Sequence, residues 1–305
     1  MTVVVVGAGL AGLACARVLV DAGHDVLVRE RSRVVGGRFA SQRLDGRPVD
    51  VGAAYFTVSD PDFAAVVTGW QQRSLALPWT TTFTVYDGNT VTSAAGPMRW
   101  AAPKGLRSLA EHLATDLPVR HAAPVMSVTG DPTVDGEPAD AVALCMPGPQ
   151  AERLLPGVFR PQSWDPVLSA VLRYPERAWP DFHGAFVNHH PVLTTVCDDG
   201  DRRGDRAPVL VAHSTDGIAR THLDDPAAAG PVIADAVGRL LGLPDRPSGI
   251  HVHRWGSARP SAPRDEDCEI VGRVGLAGDI FGTPRAETAW LSGRTLGGKL
   301  ATLLS

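Results

Sequence analysis

The chain opens on a continuous apolar run, residues 1–6, of the kind a parallel strand shows when both of its faces are buried. Three glycines interrupt it at 7, 9 and 12, and a helical stretch then runs to about residue 22, where Gly23-His24 ends it. A second apolar run at 26–28 closes on Glu30. Alternation then predicts a strand pair at 42–44 and 49–51, turning at Asp45-Gly46. A helix is expected over 63–72, opened by Ser59-Asp60-Pro61 with a capping Ser or Asp and proline in the first turn. A hairpin over 82–92 breaks at Asp87-Gly88-Asn89. A helix at 104–115, one or two strands within 119–128 and a buried strand at 141–146 follow. The middle third carries short β-like runs at 185–187, 192–196 and 209–212, then a helix from Asp225-Pro226 to 241 that Gly242 stops. An alternating strand at 249–255, a buried strand at 275–279 and a helix over 287–304 complete the pattern. Residues 198–206 are nearly all charged or glycine, so they read as a mobile surface loop with too little apolar side chain to offset the entropy of ordering.

The first strand, glycine loop and helix carry chemistry. In Gly7-Ala8-Gly9-Leu10-Ala11-Gly12, Gly7 makes the tight turn, Gly9 lets the backbone approach a pyrophosphate and Gly12 lets the helix pack on the strand. The helix N-terminus offers free N–H groups and partial positive charge to an anion. Glu30, 18 residues beyond Gly12, can accept hydrogen bonds from a ribose diol, and its charge disfavours a 2′-phosphate. An NAD domain would usually continue into a second helix. Here Arg31-Ser32-Arg33-Val34-Val35-Gly36-Gly37-Arg38 follows, which favours FAD: the glycines let backbone run beside the cofactor and Arg38 can place its fork of donors on phosphate oxygens. A solvated basic loop is the competing reading.

At 305 residues the chain holds two domains or one large one. Its net charge of −4 gives no general attraction to nucleic acid or to an anionic membrane, so neither is expected as a partner. The apolar start lacks a basic leader and meets Arg17 well short of a spanning length, so it reads as part of the mature fold. Cys15, Cys145, Cys197 and Cys268 form no metal or redox spacing, and neither do His121, His189 and His190; free thiols in a reducing cytoplasm are the simplest expectation, with no metal site. Only Lys104 and Lys299 among the 29 basic residues are lysines, and 151–275 contains none.

Toward the end, Gly275-Leu276-Ala277-Gly278-Asp279 is expected to bring Asp279 to a ribityl hydroxyl and aim the following helix at a flavin pyrimidine. A capping Asp is the plainer alternative. With the fingerprint through Gly37-Arg38, the stretches 50–57, Met98-Arg99-Trp100, His253-Arg254-Trp255, Ala258-Arg259-Pro260 and Ala289-Trp290-Leu291-Ser292-Gly293 resemble the flavin-containing amine oxidase superfamily, specifically its renalase-like branch. The resemblance spans nearly the whole chain and is weakest over 160–210.

The resemblance implies an α/β fold: a Rossmann-like FAD-binding domain (1–53, 98–157 and 268–305) with an inserted mixed-sheet substrate domain (54–97 and 158–267). It implies non-covalent FAD and a small-molecule donor, a 2- or 6-dihydronicotinamide isomer of NAD(P)H, with O2 as acceptor. Cofactor contacts are expected at Gly7, Gly9, Leu10, Ala11, Gly12, Glu30, Arg31, Gly37, Arg38, Ala53, Ala54, Val125, Gly278, Asp279, Trp290 and Leu291, although Trp290 can equally be a packing residue. The flavin itself carries the redox chemistry, so no catalytic side chain is required. Tyr55, His253 and Arg259 are the candidate pocket residues, each with a packing or ion-pair alternative. Two departures put the substrate in doubt: Ala54 stands where bacterial relatives usually have Gln, and Ser257 where they often have Tyr. The chain also looks short between 127 and 140, where relatives carry an extra strand pair. The competing functions are a flavin amine oxidase or desaturase of a small metabolite, and a non-catalytic binding protein on the same fold.

Overall fold

A computed structural model describes residues 2–305. Its first sheet has six strands in the order Glu269–Val271, Val274–Leu276, Ala141–Leu144, Val3–Val6, Val26–Arg29, Val119–Arg120, parallel except at the first pair. The central strand Val3–Val6 is buried at all four positions, as its unbroken apolar run requires. Helix Leu10–Asp21 lies on this sheet, and helix Ala286–Leu304 lies on that helix. The two helices touch because Gly293 has no side chain: a Cβ there would stand 1.9 Å from the Ala11 carbonyl oxygen.

The second sheet has seven strands in the order Gly249–Pro260, Trp164–Arg173, Val209–Ser214, Leu193–Asp198, Gly184–Asn188, Leu77–Asp87, Thr90–Ala101. It is antiparallel except between Gly184–Asn188 and Leu77–Asp87. Helix Ala229–Leu241 covers one face, and Gly242 in the left-handed region (φ 65°) ends it. The other face meets the first unit, where Val171, Val209 and Val211 pack on Val49 and Val51 of the hairpin Ser41–Leu44/Arg47–Asp50. Helix Pro61–Gln72 starts as its sequence dictates: Asp60 accepts from the N–H groups of Asp62 and Phe63, and Pro61 fills a position with no ladder bond to lose.

Three expectations are corrected. The longest buried strand, Trp164–Arg173, has no counterpart in the sequence reading, because Pro166 sits in it at a register shift between Asp165 and Val167 and its apolar run does not alternate. The 127–140 segment does carry a strand pair, two residues long on each side, Thr133–Val134 with Glu137–Pro138. The third concerns 198–206. Instead of a mobile loop, Asp199–Arg203 is a helical turn capped by Asp198, and Asp198, Asp199, Arg202 and Arg203 are buried. Their charges are matched inside the protein: Asp199 pairs with Arg47, Arg202 and Arg203, and Asp50 lies 2.9 Å from Arg203 and 3.4 Å from Arg202.

Candidate active site

The site forms where the glycine loop, the 51–55 segment and the second sheet converge. The helix after the loop has Gly9 at its N-cap, no side-chain cap and no acidic residue in its first turn. Gly7 adopts φ +103°, and Gly12 sits so close that a Cβ would fall 1.8 Å from the Gly7 carbonyl oxygen. At Gly9, by contrast, a methyl group would meet no atom within 4 Å. Leu10 and Ala11 are buried in the first turn. Glu30 is buried; one oxygen accepts from the Ala8 N–H (2.8 Å), the other from the N–H and hydroxyl of Ser32. The 36–38 turn lies on the loop, with Gly36 N–H donating to Ala8 O (2.8 Å) and Gly37 (φ +53°) close above Gly9. Arg31 is exposed beside Glu30. Val125 is partly buried on a segment tied to the same strand end, where Ala123 N–H donates to Glu30 O.

Arg38 and Asp279, 241 residues apart, meet in a bidentate pair of 2.7 and 2.5 Å. Arg38 also donates to Ala258 O and lies 5.2 Å from the Trp164 ring centroid. Gly278 is held to the last helix by its N–H donating to the Ser292 hydroxyl. Because that helix begins at Ala286, its unpaired first-turn N–H groups precede Trp290 and Leu291. The Trp290 ring packs 5.5 Å from Phe63, which is the packing alternative weighed for it, and Leu291 is partly buried against the same cluster.

The 51–54 segment is clamped from both units. Trp255 Nε1 donates to Val51 O (2.7 Å), His213 bonds the Gly52 backbone, Ala53 N–H donates to Arg38 O and buried Arg202 donates to Ala54 O. Tyr55 follows, half-buried among Trp79 and Phe83, its phenol pushed up by burial. His213, Ser169 and His253 stand opposite one another on adjacent strands and so share the sheet face turned to this segment. His213 Nε2 and Ser169 Oγ are buried without a partner. His253 is bonded through Nδ1 to the Gln42 amide (3.0 Å) and packs on Trp255. Arg259 is exposed at the far end of that strand. The sequence reading brings Tyr55 and His253 to this face but passes over His213, Ser169 and Arg202. Ser169 and His213 leave only a polar position within mostly apolar runs, and Arg202 sits in the charged 198–206 stretch read as a surface loop.

Residues 72–295 match the family model described as flavin containing amine oxidoreductase, and 5–69 match a NAD(P)-binding Rossmann-like domain. The chain belongs to the flavin-containing amine oxidoreductase family. A putative flavin-containing monoamine oxidase of Mycobacterium tuberculosis, AofH, is 42% identical over 97 residues, 32% of this chain and 20% of that protein. A hydroxyneurosporene desaturase of Rubrivivax gelatinosus is 46% identical over 66 residues, 21% of this chain and 13% of that protein. The alignments thus span a fifth or less of these relatives' lengths. The structure of cyclohexylamine oxidase from Brevibacterium oxydans superposes with a TM-score of 0.78 at 14% identity, covering 100% of this chain and 99% of that one, which shows a shared fold.

The residues fit the flavin dinucleotide that the family carries. Open space at Gly9, an uncapped helix start and a pinned Glu30 carboxylate make a cradle for phosphates and ribose. Arg38 and Asp279 each keep unused donor or acceptor capacity beyond their mutual pair. Burial, then Arg202 and Arg259, push His213 down to about 4, so it is neutral near pH 7. Burial, His251 and Arg107 lower His253 as well.

An unfolded chain protonates His213 near pH 6.5, whereas the folded one resists until about 4. The stability this neutral His contributes is therefore complete above pH 6.5 and falls away as pH drops toward 4, by about 3–3.5 kcal/mol in all. Urea unfolding at pH 8, 6 and 4.5 should show the decline, and His213→Gln should flatten it; an unchanged slope in that variant would place the effect elsewhere.

Proposed function

We propose that this protein is an FAD-dependent oxidase that takes electrons from the 2- and 6-dihydro isomers of NAD(P)H and passes them to O2. The observation that carries the reading is the lysine-free face over the 51–55 segment. There two histidines are held neutral by burial and by neighbouring cations, and neither a lysine nor a carboxylate stands beside Ser169, Thr195, His213 and His253. An alkylamine arrives as an ammonium, for which this face offers no carboxylate partner. A reduced nicotinamide dinucleotide arrives as an anion, which the exposed Arg259 can attract.

Bound FAD supplies a two-electron acceptor that O2 can reoxidise. The chain supplies the rest. The uncapped helix, Glu30 and Arg38 bind the cofactor, and the clamped 51–54 segment fixes the backbone beside it. The unpartnered His213 Nε2 and Ser169 Oγ offer hydrogen bonds that orient a donor, and Tyr55, Trp79 and Phe83 wall the site from water. Oxidation of a dihydronicotinamide needs no proton removed from nitrogen, so the reading requires no general base. Tyr55, His253 and Arg259 remain the proposed pocket residues, Arg259 acting through its field. Non-covalent attachment is part of the proposal: burial pushes Cys197, the thiol nearest this site, up to about 12, so it is no nucleophile. A cytoplasmic location is supported by four buried, unpaired thiols. Among the described residues no helix is long and apolar enough to cross a membrane.

The test is anaerobic mixing of the yellow holoprotein with each candidate donor. The 2- and 6-dihydro isomers should bleach the flavin about a hundredfold faster than ordinary 4-dihydroNADH, because a displacement near 1 Å of the reacting carbon costs about that much. Oxygen should restore the colour and yield peroxide. Bleaching by an amine or a saturated carbon substrate instead would establish the amine oxidase or desaturase alternative, and a protein that never binds flavin would establish the binding-protein one.

A further inference from the structure

A cavity of about 440 Å³ opens where the turn of the hairpin Ser41–Leu44/Arg47–Asp50 meets the end of strand Trp164–Arg173. Leu44, Val49, Pro208 and Val209 make its walls apolar, and its volume falls in the range of small-molecule sites. Two arginines line it as well. Arg47 is already committed, to Asp199 and Asp205. Arg173 is held differently: its guanidinium lies against Gly249, where a Cβ would stand 2.3 Å from Nη2, and its acidic partner among the described residues is Asp45, 78% exposed on the hairpin turn at φ +50°. An ion pair so exposed contributes little, because water screens it and two side chains lose freedom to keep it. Asp45 lines the same cavity, so a carboxylate reaches Arg173 at its edge, and it holds that place loosely. Beside Arg173, the Tyr174 phenol has no hydrogen-bond partner among the described residues; burial alone pushes it up to about 12, so it stays a protonated donor.

We propose that this cavity binds a small amphipathic monocarboxylate, which takes Arg173 from Asp45, accepts from the Tyr174 hydroxyl and lays its hydrocarbon on Leu44, Val49, Pro208 and Val209. The ligand outcompetes Asp45 through the apolar area it removes from water, which an aspartate on an exposed turn does not bury. An ammonium in its place would face Arg173 and Arg47. The site is separate from the donor face: Ser169 and Arg173 are four residues apart on one strand, roughly 13 Å, and Val171 between them packs on Val49 and Val51. Binding here is therefore independent of the proposed reaction, yet it braces the hairpin strand that runs directly into the clamped 51–54 segment.

Calorimetric titration of the holoprotein with hexanoate, phenylacetate and hexylamine tests this without turnover. At least one acid should bind and hexylamine should not; the tighter acid tells an aliphatic source from an aromatic one. Asp45→Asn keeps the turn but removes the competing charge, so it should tighten the acid by about threefold to fivefold. Arg173→Met should weaken it by at least about tenfold and Tyr174→Phe by about threefold, with the visible flavin band unmoved throughout. No binding of either acid at about 10 mM overturns the proposal, as does an affinity untouched by Arg173→Met. A flavin band that shifts with the acid and still does so in Arg173→Met overturns it too, by placing the acid at the flavin. Should Arg173→Met not fold, Asp45→Asn and Tyr174→Phe decide: unchanged affinity in both sinks the site.

Discussion

Asp199→Asn should cost about 3–5 kcal/mol of stability, because it leaves Arg47, Arg202 and Arg203 facing a neutral amide in a buried cluster. For a chain of 305 residues that corresponds to a fall in melting temperature of roughly 5–8 °C. The flavin should loosen too, since Arg202 holds the Ala54 carbonyl of the clamped segment. Acid has the same target. Burial alone would raise the Asp199 carboxyl, but Arg202, Arg203 and Arg47 outweigh it and bring it to about 2. Its stabilisation is therefore complete above the unfolded value near 4 and is lost as pH falls through about 2. Chemical denaturation from pH 7 to 2 should show the wild type losing this increment while Asp199→Asn, already without it, does not. A variant within 1 kcal/mol of wild type at pH 7 would mean that the cluster is solvated and the 198–206 segment open.

Two glycines of the loop should separate binding from folding. Gly9→Val should fold yet bind no FAD, because its side chain enters space that no protein atom occupies and that the pyrophosphate needs. Gly12→Val should fail to fold, because no rearrangement short of lifting the helix off its strand relieves a Cβ at 1.8 Å from the Gly7 carbonyl oxygen. Arg38→Ala should retain weakened binding, by about 1.5–3 kcal/mol. Saturating FAD at a hundred times its dissociation constant adds about 2.7 kcal/mol to a native state that binds it. Added FAD should therefore raise the melting temperature of wild type and leave that of Gly9→Val unmoved. A flavin-loaded Gly9→Val would put the cofactor somewhere other than the helix start.

What the sequence discloses here is what local chemistry determines. The buried run at 3–6, the glycine loop, the Asp60–Pro61 helix start and the Gly242 stop are each written within a few residues of where they act. The charged 198–206 stretch misleads because its partners Arg47 and Asp50 lie about 150 residues earlier, and composition alone cannot distinguish a solvated charge from a paired one. Trp164–Arg173 escapes for a related reason: a strand covered on both faces does not alternate, and Pro166 argues against it. His213 Nε2 and Ser169 Oγ gain chemical meaning only from what they lack, a hydrogen-bond partner. A missing partner is invisible until the fold has chosen every neighbour.

The interleaving of the two sheets fixes the order in which the molecule can mature on the ribosome. Strand Val3–Val6 emerges first and can pair at once with Val26–Arg29, but its other edge waits for Ala141–Leu144, and that strand in turn waits for Val274–Leu276. The helix that covers the glycine-loop helix, Ala286–Leu304, comes later still. Translation at about 5–20 residues per second leaves the earliest strand half-paired for many seconds, with its apolar edge open to mispairing. Meanwhile Leu77–Asp87 and Thr90–Ala101 close locally as a hairpin. The nascent chain thus carries an unfinished cradle until residues 274–304 appear, so cofactor capture waits for them and chaperone dependence should track that delay.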